Sequence, residues 1–224
     1  MDLTNYKNRL GQTNVGKAIN YDTALAVSEY FSDSPQHEML VVNDEVDPTD
    51  VHIKPTKKYG IYSITFKPSY VARKGIYLKY KDTNYISTEA VDHEIYPKVT
   101  MEICPQKLSW KKSDGTLVSY PCAIKGKTLS LNQNIAREER LILNSEAEIM
   151  ALIQYNSDTK EIKLTDRFLI SGQSYEVIEL DTISEVYEED GLMSVYMKSV
   201  ANYTSDDLDN DVSDGSDNSG WGDW

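Results

Sequence analysis

A chain of 224 residues with 40% hydrophobic content can bury a substantial core, and no run approaches the roughly 18 apolar residues that a membrane span requires. Its formal net charge of −13 repels a phosphate backbone, which argues against unaided binding to duplex nucleic acid. The opening Met1-Asp2-Leu3-Thr4-Asn5 has no basic stretch followed by an apolar one, so the chain is expected to stay in a reducing cytoplasm with no membrane partner.

Residues 1–21 are polar with scattered apolar anchors, among them Tyr6 and Leu10, and read as an arm. A short helix is expected from Asp22 to Phe31, because Asp22 can accept from the first free N–H groups and Ala, Leu and Glu favour the helical state. Ser34-Pro35 should stop it. Strand candidates then follow at short intervals. They begin with Met39–Val42 and with Tyr62–Phe66, whose alternation sends Tyr62, Ile64 and Phe66 to one face. Ile76–Tyr80 turns through Lys81-Asp82-Thr83-Asn84 into Tyr85–Ser87 as a hairpin.

Val99, Met101 and Ile103 alternate with polar residues, and Leu108-Ser109-Trp110 reverses at Asp114-Gly115 into Leu117–Tyr120 as a second hairpin. With that turn, Cys104 falls opposite residue 125 rather than Cys122, so both cysteines are read as reduced thiols. Ile149–Ile153 is apolar on both faces, as a central strand would be. Ile162–Leu164, Arg167–Ile170, Tyr175–Leu180 and Leu192–Met197 complete the strand set, with a Ser171-Gly172-Gln173 turn in which Gly172 supplies a positive φ.

The expected fold is therefore mainly β: an antiparallel barrel-like or sandwich-like body with a short N-terminal helix and a disordered acidic tail. Five segments are expected. They are an arm and helix (1–35), a first β region (36–124), a linker or insertion (125–147), a second β region (148–205) and the tail (206–224). From Asp206 onward there are seven Asp and no Lys or Arg, so about half the excess charge lies there, and low hydrophobicity cannot repay the entropy of ordering. Trp221 and Trp224 stand in that tail as isolated aromatics, and together with Tyr6 and Leu10 they are the candidate interface residues. Sixteen Tyr against three Phe also suit a sheet protein with wet interfaces.

Chemistry-bearing motifs are sparse. Gly11-Gln12-Thr13-Asn14-Val15-Gly16-Lys17 imitates a phosphate loop, but Ala18 stands where Ser or Thr should hold magnesium, and no strand precedes it. There is no nucleophile elbow and no Cys with a nearby His, and His37, His52 and His93 lack paired metal-ligand spacing. Glu188-Glu189-Asp190 reads as an exposed turn before Gly191. The expectation is accordingly no enzyme, no catalytic or metal residues and no cofactor.

Three stretches resemble a known family. The first is Ile103-Cys104-Pro105-Gln106-Lys107-Leu108-Ser109-Trp110 to Asp114-Gly115, continuing to Tyr120-Pro121-Cys122, although Lys107 to Trp110 is one residue longer than the family's Lys-x-Trp. The second is Asp166–Ile178 followed by Gly191-Leu192, and the third is the N-terminal order of polar arm, helix, Ser-Pro and strand. Together they resemble head-to-tail connector (neck, stopper or head-closure) proteins of tailed phages of Gram-positive hosts. The resemblance implies a virion protein, assembled in the bacterial cytoplasm as a homo-oligomeric ring of about six or twelve copies. Its partners would be portal or adaptor and tail proteins, and DNA would pass its channel without specific binding. The alternative is a single-stranded-DNA-binding protein of the OB type, with Tyr59, Tyr62, Tyr77, Tyr80, Tyr85 and Trp110 as a stacking set and the acidic tail docking partners.

Overall fold

The computed structural model describes residues 11, 15–43, 45–112, 115–126 and 148–202. It is mainly β, as expected, and divides between Ile103 and Cys104 into two compact units. The expected boundary at 124/125 falls instead inside a strand, Leu117–Gly126, which pairs with Glu148–Tyr155 and so belongs wholly to the second unit. Of the expected linker, residues 127–147 lie outside the described residues.

Helix α1 spans Val15–Glu29, seven residues earlier than the Asp22 start. Asp22 is thus a mid-helix residue, and the Thr23 hydroxyl beside it donates to the Ile19 carbonyl at 2.8 Å, as a helical Thr can. Its N-terminal half carries enough helix formers (Lys17, Ala18, Ile19) to extend it backward. A short 3-10 turn, Phe31–Asp33, follows, and Ser34 is extended with ψ 137 because Pro35 disfavours the helical region before it.

Six strands close a barrel in the first unit: β1 (His37–Val42), β2 (Thr49–Pro55), β3 (Ile61–Phe66), β4 (Tyr77–Tyr80), β5 (Thr83–Val91) and β6 (Lys98–Ile103). The order around it is β1-β2-β3-β6-β5-β4, with β4 returning to β1 and all neighbours antiparallel. Alternation decides what points inward: Leu40 and Val42, Val51 and Ile53, Ile64 and Phe66, Val99 and Met101 all join one buried cluster. Strand β2 has no counterpart among the expected strands. Its Val51 and Ile53 alternate correctly, but Pro48 and Pro55 bracket them and lend the segment a loop-like composition.

The β4–β5 hairpin turns on Lys81 and Asp82, both in the left-handed region at φ 48 and 59. That geometry matches the twist of the strands but suits Asn-Gly far better than Lys-Asp. Asp82→Gly should therefore stabilise the protein by about 0.5 kcal/mol, the loss of the long, exposed Lys79–Asp82 ion pair counting for little. Urea denaturation would check it, and a lower midpoint in the variant would contradict the turn assignment.

The second unit holds β7 (Gln106–Lys111), β8 (Leu117–Gly126), β9 (Glu148–Tyr155), β10 (Arg167–Ile170), β11 (Gln173–Asp181), β12 (Val186–Tyr187) and β13 (Asp190–Ser199). Its sheet runs β10-β11-β13-β9-β8-β7, with β12 paired to β13. Strand β9 lies in the middle, its Ala151 and Ile153 in the core, as its two-sided apolar run requires. The two end strands curl toward each other, with Trp110 of β7 packing edge-on against Phe168 of β10 at 6.0 Å between ring centres. Ser171-Gly172 forms the expected tight turn, Gly172 at φ 77, and Glu188-Glu189 forms another, exposed one. Ile162–Leu164 is not a strand. Asn156 accepts the N–H groups of Asp158 and Thr159 at 3.0 Å, which coils the chain into a 3-10 turn over Thr159–Glu161 and buries Ile162.

Gln106 faces Cys122 in the β7–β8 ladder, and the same register runs on to Lys111 facing Leu117, with a loop of five residues between. The register differs by one from a turn centred on Asp114-Gly115, but it still keeps Cys104 and Cys122 from facing each other. Both thiols are buried and in no disulfide, and burial pushes the Cys122 thiol up to about 12. In native buffer at neutral pH neither should react with an aromatic disulfide reagent within minutes, while both should titrate after denaturation. A rapidly reacting thiol in the folded protein would contradict this.

Candidate binding site at the barrel mouth

A cleft lies at one end of the first unit's barrel. It measures about 410 Å³ and is walled by the Pro55–Tyr62 segment with Tyr85 and Ile103. The β2–β3 connection is pinned to itself: the Thr56 hydroxyl donates to the Ile61 carbonyl at 2.9 Å and accepts the Lys58 N–H at 3.2 Å. Gly60 sits at φ 73, and its carbonyl accepts the Ile103 N–H at 2.9 Å. A Cβ there would stand 2.7 Å from Ile103 Cγ2, so glycine lets the loop lie close over β6. The consequence is a rigid turn that holds Lys57, Lys58 and Tyr59 out in solvent, Tyr59 being 97% exposed.

Beneath it, Tyr62 of β3 meets Tyr80 of β4 at 5.7 Å and Tyr85 of β5 at 5.4 Å, both edge-to-face. The Lys81 ammonium lies 5.0 Å from the centre of the Tyr80 ring. Burial first, then the neighbouring Tyr62, raises the Tyr85 phenol above its ordinary value, so it stays neutral and able to donate at physiological pH. The space under these rings is only about 10 Å³, lined by Leu40, Ile64, Leu78 and Met101 among others, too little for a ligand, so the room at this end lies across the mouth.

The six aromatics grouped by sequence as a stacking set divide by unit and by strand face. Tyr59, Tyr62, Tyr80 and Tyr85 belong to this end of the barrel. Tyr77 lies on β4 facing away from the core side of Leu78, and Trp110 belongs to the second unit, stacked on Tyr120 at 5.6 Å. Tyr6, Leu10, Trp221 and Trp224 lie outside the described residues.

Two polar clusters went unread in the sequence. His37 and His52, without paired spacing, are direct cross-strand partners on β1 and β2, their rings 6.5 Å apart. Each is already committed. His37 Nε2 is 2.7 Å from Asp50, which also takes Lys67 at 3.2 Å, and these partners, His37 foremost, hold the Asp50 carboxyl below its ordinary value. His52 donates through Nε2 to the Phe31 carbonyl at 2.7 Å and stacks on the Phe31 ring at 3.8 Å. In the second unit Asp158 accepts from Lys112 and from the Tyr120 hydroxyl, both at 2.8 Å, and is likewise held low, Lys112 being the main cause. Among the described residues no three His, Cys, Asp or Glu side chains come together in a group that could hold a metal ion, and no helix is long and apolar enough to cross a membrane.

No curated protein and no solved structure gave a match. Residues 106–198, almost the whole described β-structure of the second unit, match the model of the YomX C-terminal domain family. That family is phage-associated, of the Bacillus phage SPbeta-like kind, and the match points to a phage-related protein of the virion or the phage-infected cell.

Proposed function

We propose that this phage-related chain is a non-enzymatic structural subunit of the head-to-tail connector or stopper kind, assembling with copies of itself into a ring between portal and tail proteins. The observation that carries the reading is helix α1. Fifteen residues long, it buries none of them, and Val15, Ile19 and Leu25 are 76%, 56% and 40% exposed. A helix of that length is marginal in water without packing, so apolar residues left on its surface favour a neighbouring molecule as the missing support. Electron microscopy of the purified protein, alone and mixed with portal proteins, should show rings, and Ile19→Glu with Leu25→Glu should leave a folded monomer. A wild-type protein that stays monomeric with every portal protein tried would sink the reading.

A second reading has one observation in its favour, the tyrosine and lysine grouping at the barrel mouth, which offers ring faces and positive charge to single-stranded DNA. It requires salt-dependent affinity for a labelled oligonucleotide that falls when Tyr59 and Tyr62 are changed to Ala.

A further inference from the structure

We infer that the barrel mouth receives the acidic segment 206–224 of a second copy of this chain. The argument starts from charge. Between Val51 and Phe66 there is no Asp or Glu, while Lys54, Lys57 and Lys58 are all exposed; Lys81 adds a fourth cation from the β4–β5 turn, where Asp82 stands next to it and Glu38 is near enough to act on its charge. On a chain of net charge −13 this is a local reversal of sign, and one with a cleft of about 410 Å³ and exposed aromatic surface at its centre. One of these ammonium groups, Lys81, already lies over a tyrosine ring, that of Tyr80, while Lys57 and Lys58 stand on the loop that the Gly60–Ile103 hydrogen bond ties to β6.

The complementary ligand is written in the same sequence. Residues 206–224 carry seven Asp, no Lys or Arg, and two large aromatics, Trp221 and Trp224. Carboxylates against the Lys57, Lys58 and Lys81 ammonium groups, with an indole against Tyr59 and Tyr62, satisfy both the charge and the apolar surface of the mouth. A nucleic acid would meet the same lysines but also the repulsion of the rest of the molecule, which a short segment supplied by a neighbour outweighs through its high local concentration. A contact from one copy's segment to another copy's mouth joins two different surfaces. Such a contact repeats from copy to copy and closes into a ring when the rotation allows. The inference deepens the ring reading and rests on it for the presence of a neighbouring copy.

The test uses full-length protein. In a mixture of unlabelled and 15N-labelled chains, zero-length carbodiimide coupling should join Lys57 or Lys58 to Asp residues of 206–223 in mixed-isotope pairs. A fluorescent peptide of sequence 206–224 should bind saturably to a full-length variant whose seven Asp in that segment are changed to Asn. Lys57→Glu with Lys58→Glu should weaken that binding at least about tenfold, as should raising the salt concentration. Absence of saturable peptide binding, indifference to the two charge reversals, or coupling only within same-isotope chains would each overturn the inference. So would an oligo-dT that occupies the mouth and is not displaced by the peptide. Rings seen by microscopy without peptide binding would overturn this contact while leaving the ring reading in place. Peptide binding by a protein forming only open chains would uphold the contact and remove the ring.

Discussion

Replacing Phe66 by Ala should lower the stability of the first unit by about 3–5 kcal/mol. The ring is wholly buried at the last residue of β3, paired across the ladder with Val51 and stacked on Tyr70 at 3.9 Å and 11°. Its backbone is fixed as well, since its N–H donates to the Pro97 carbonyl at 2.8 Å, so β3 cannot slide to fill the space. A closed barrel collapses poorly around a missing ring because each wall is hydrogen-bonded to two neighbours. Urea unfolding followed by tyrosine fluorescence should show the loss, and a cost below about 1.5 kcal/mol would mean that the barrel repacks far more freely than its ladder allows.

Gly191→Ala should cost the second unit about 3 kcal/mol, by a different route. Gly191, second residue of β13, lies at φ 148, and a Cβ there would stand 2.7 Å from Val186 Cα and nearer still to the Glu185 carbonyl oxygen. These are backbone atoms of β12 and of the residue before it, and the Glu185 carbonyl also accepts the Leu192 N–H at 3.0 Å. Nothing flexible can give way, so the substitution must break the β12–β13 pairing or tilt the start of β13, the strand that holds β9 and β11 together. Thermal unfolding should report it. Gly126→Ala makes the control, since a Cβ at Gly126 meets nothing within 4 Å, and equal losses at the two positions would refute the steric account.

Much of this architecture was legible in the chain because alternation is a local signal. Ile64 and Phe66, Val99 and Met101, and the two-sided Ile149–Ile153 run each declare their strand without reference to the rest of the molecule. Strand β2 hid behind its prolines, and α1 was read short because Asp22 makes a plausible cap whose carboxyl competes with an equally helical stretch before it. The two segments that resemble phage connector proteins, around 103–122 and 166–192, fall almost entirely within the matched region 106–198. The mouth was half legible. Its tyrosines stand out in composition, but that Tyr62, Tyr80 and Tyr85 meet is decided by β5 pairing with β6 and β4 with β1, contacts between residues distant in sequence. The His37–His52 pairing depends in the same way on the register across the β1–β2 connection.

The barrel's closure is uneven. Strands β3 and β6 share five register pairs, from Ile61–Glu102 to Thr65–Lys98, whereas β1 and β4 share only Val41–Lys79 and Val42–Leu78. Asn43 lengthens that seam by one rung: at φ 48 its N–H donates to the Tyr77 carbonyl at 3.0 Å while its side-chain oxygen accepts the Tyr77 N–H at 2.8 Å. One asparagine thus clasps the shortest join in the cylinder. Amide protons at Asn43 and Tyr77 should exchange with solvent ahead of those in the β3–β6 ladder, and the cylinder should breathe there, parting between β1 and β4 before any other pair of staves.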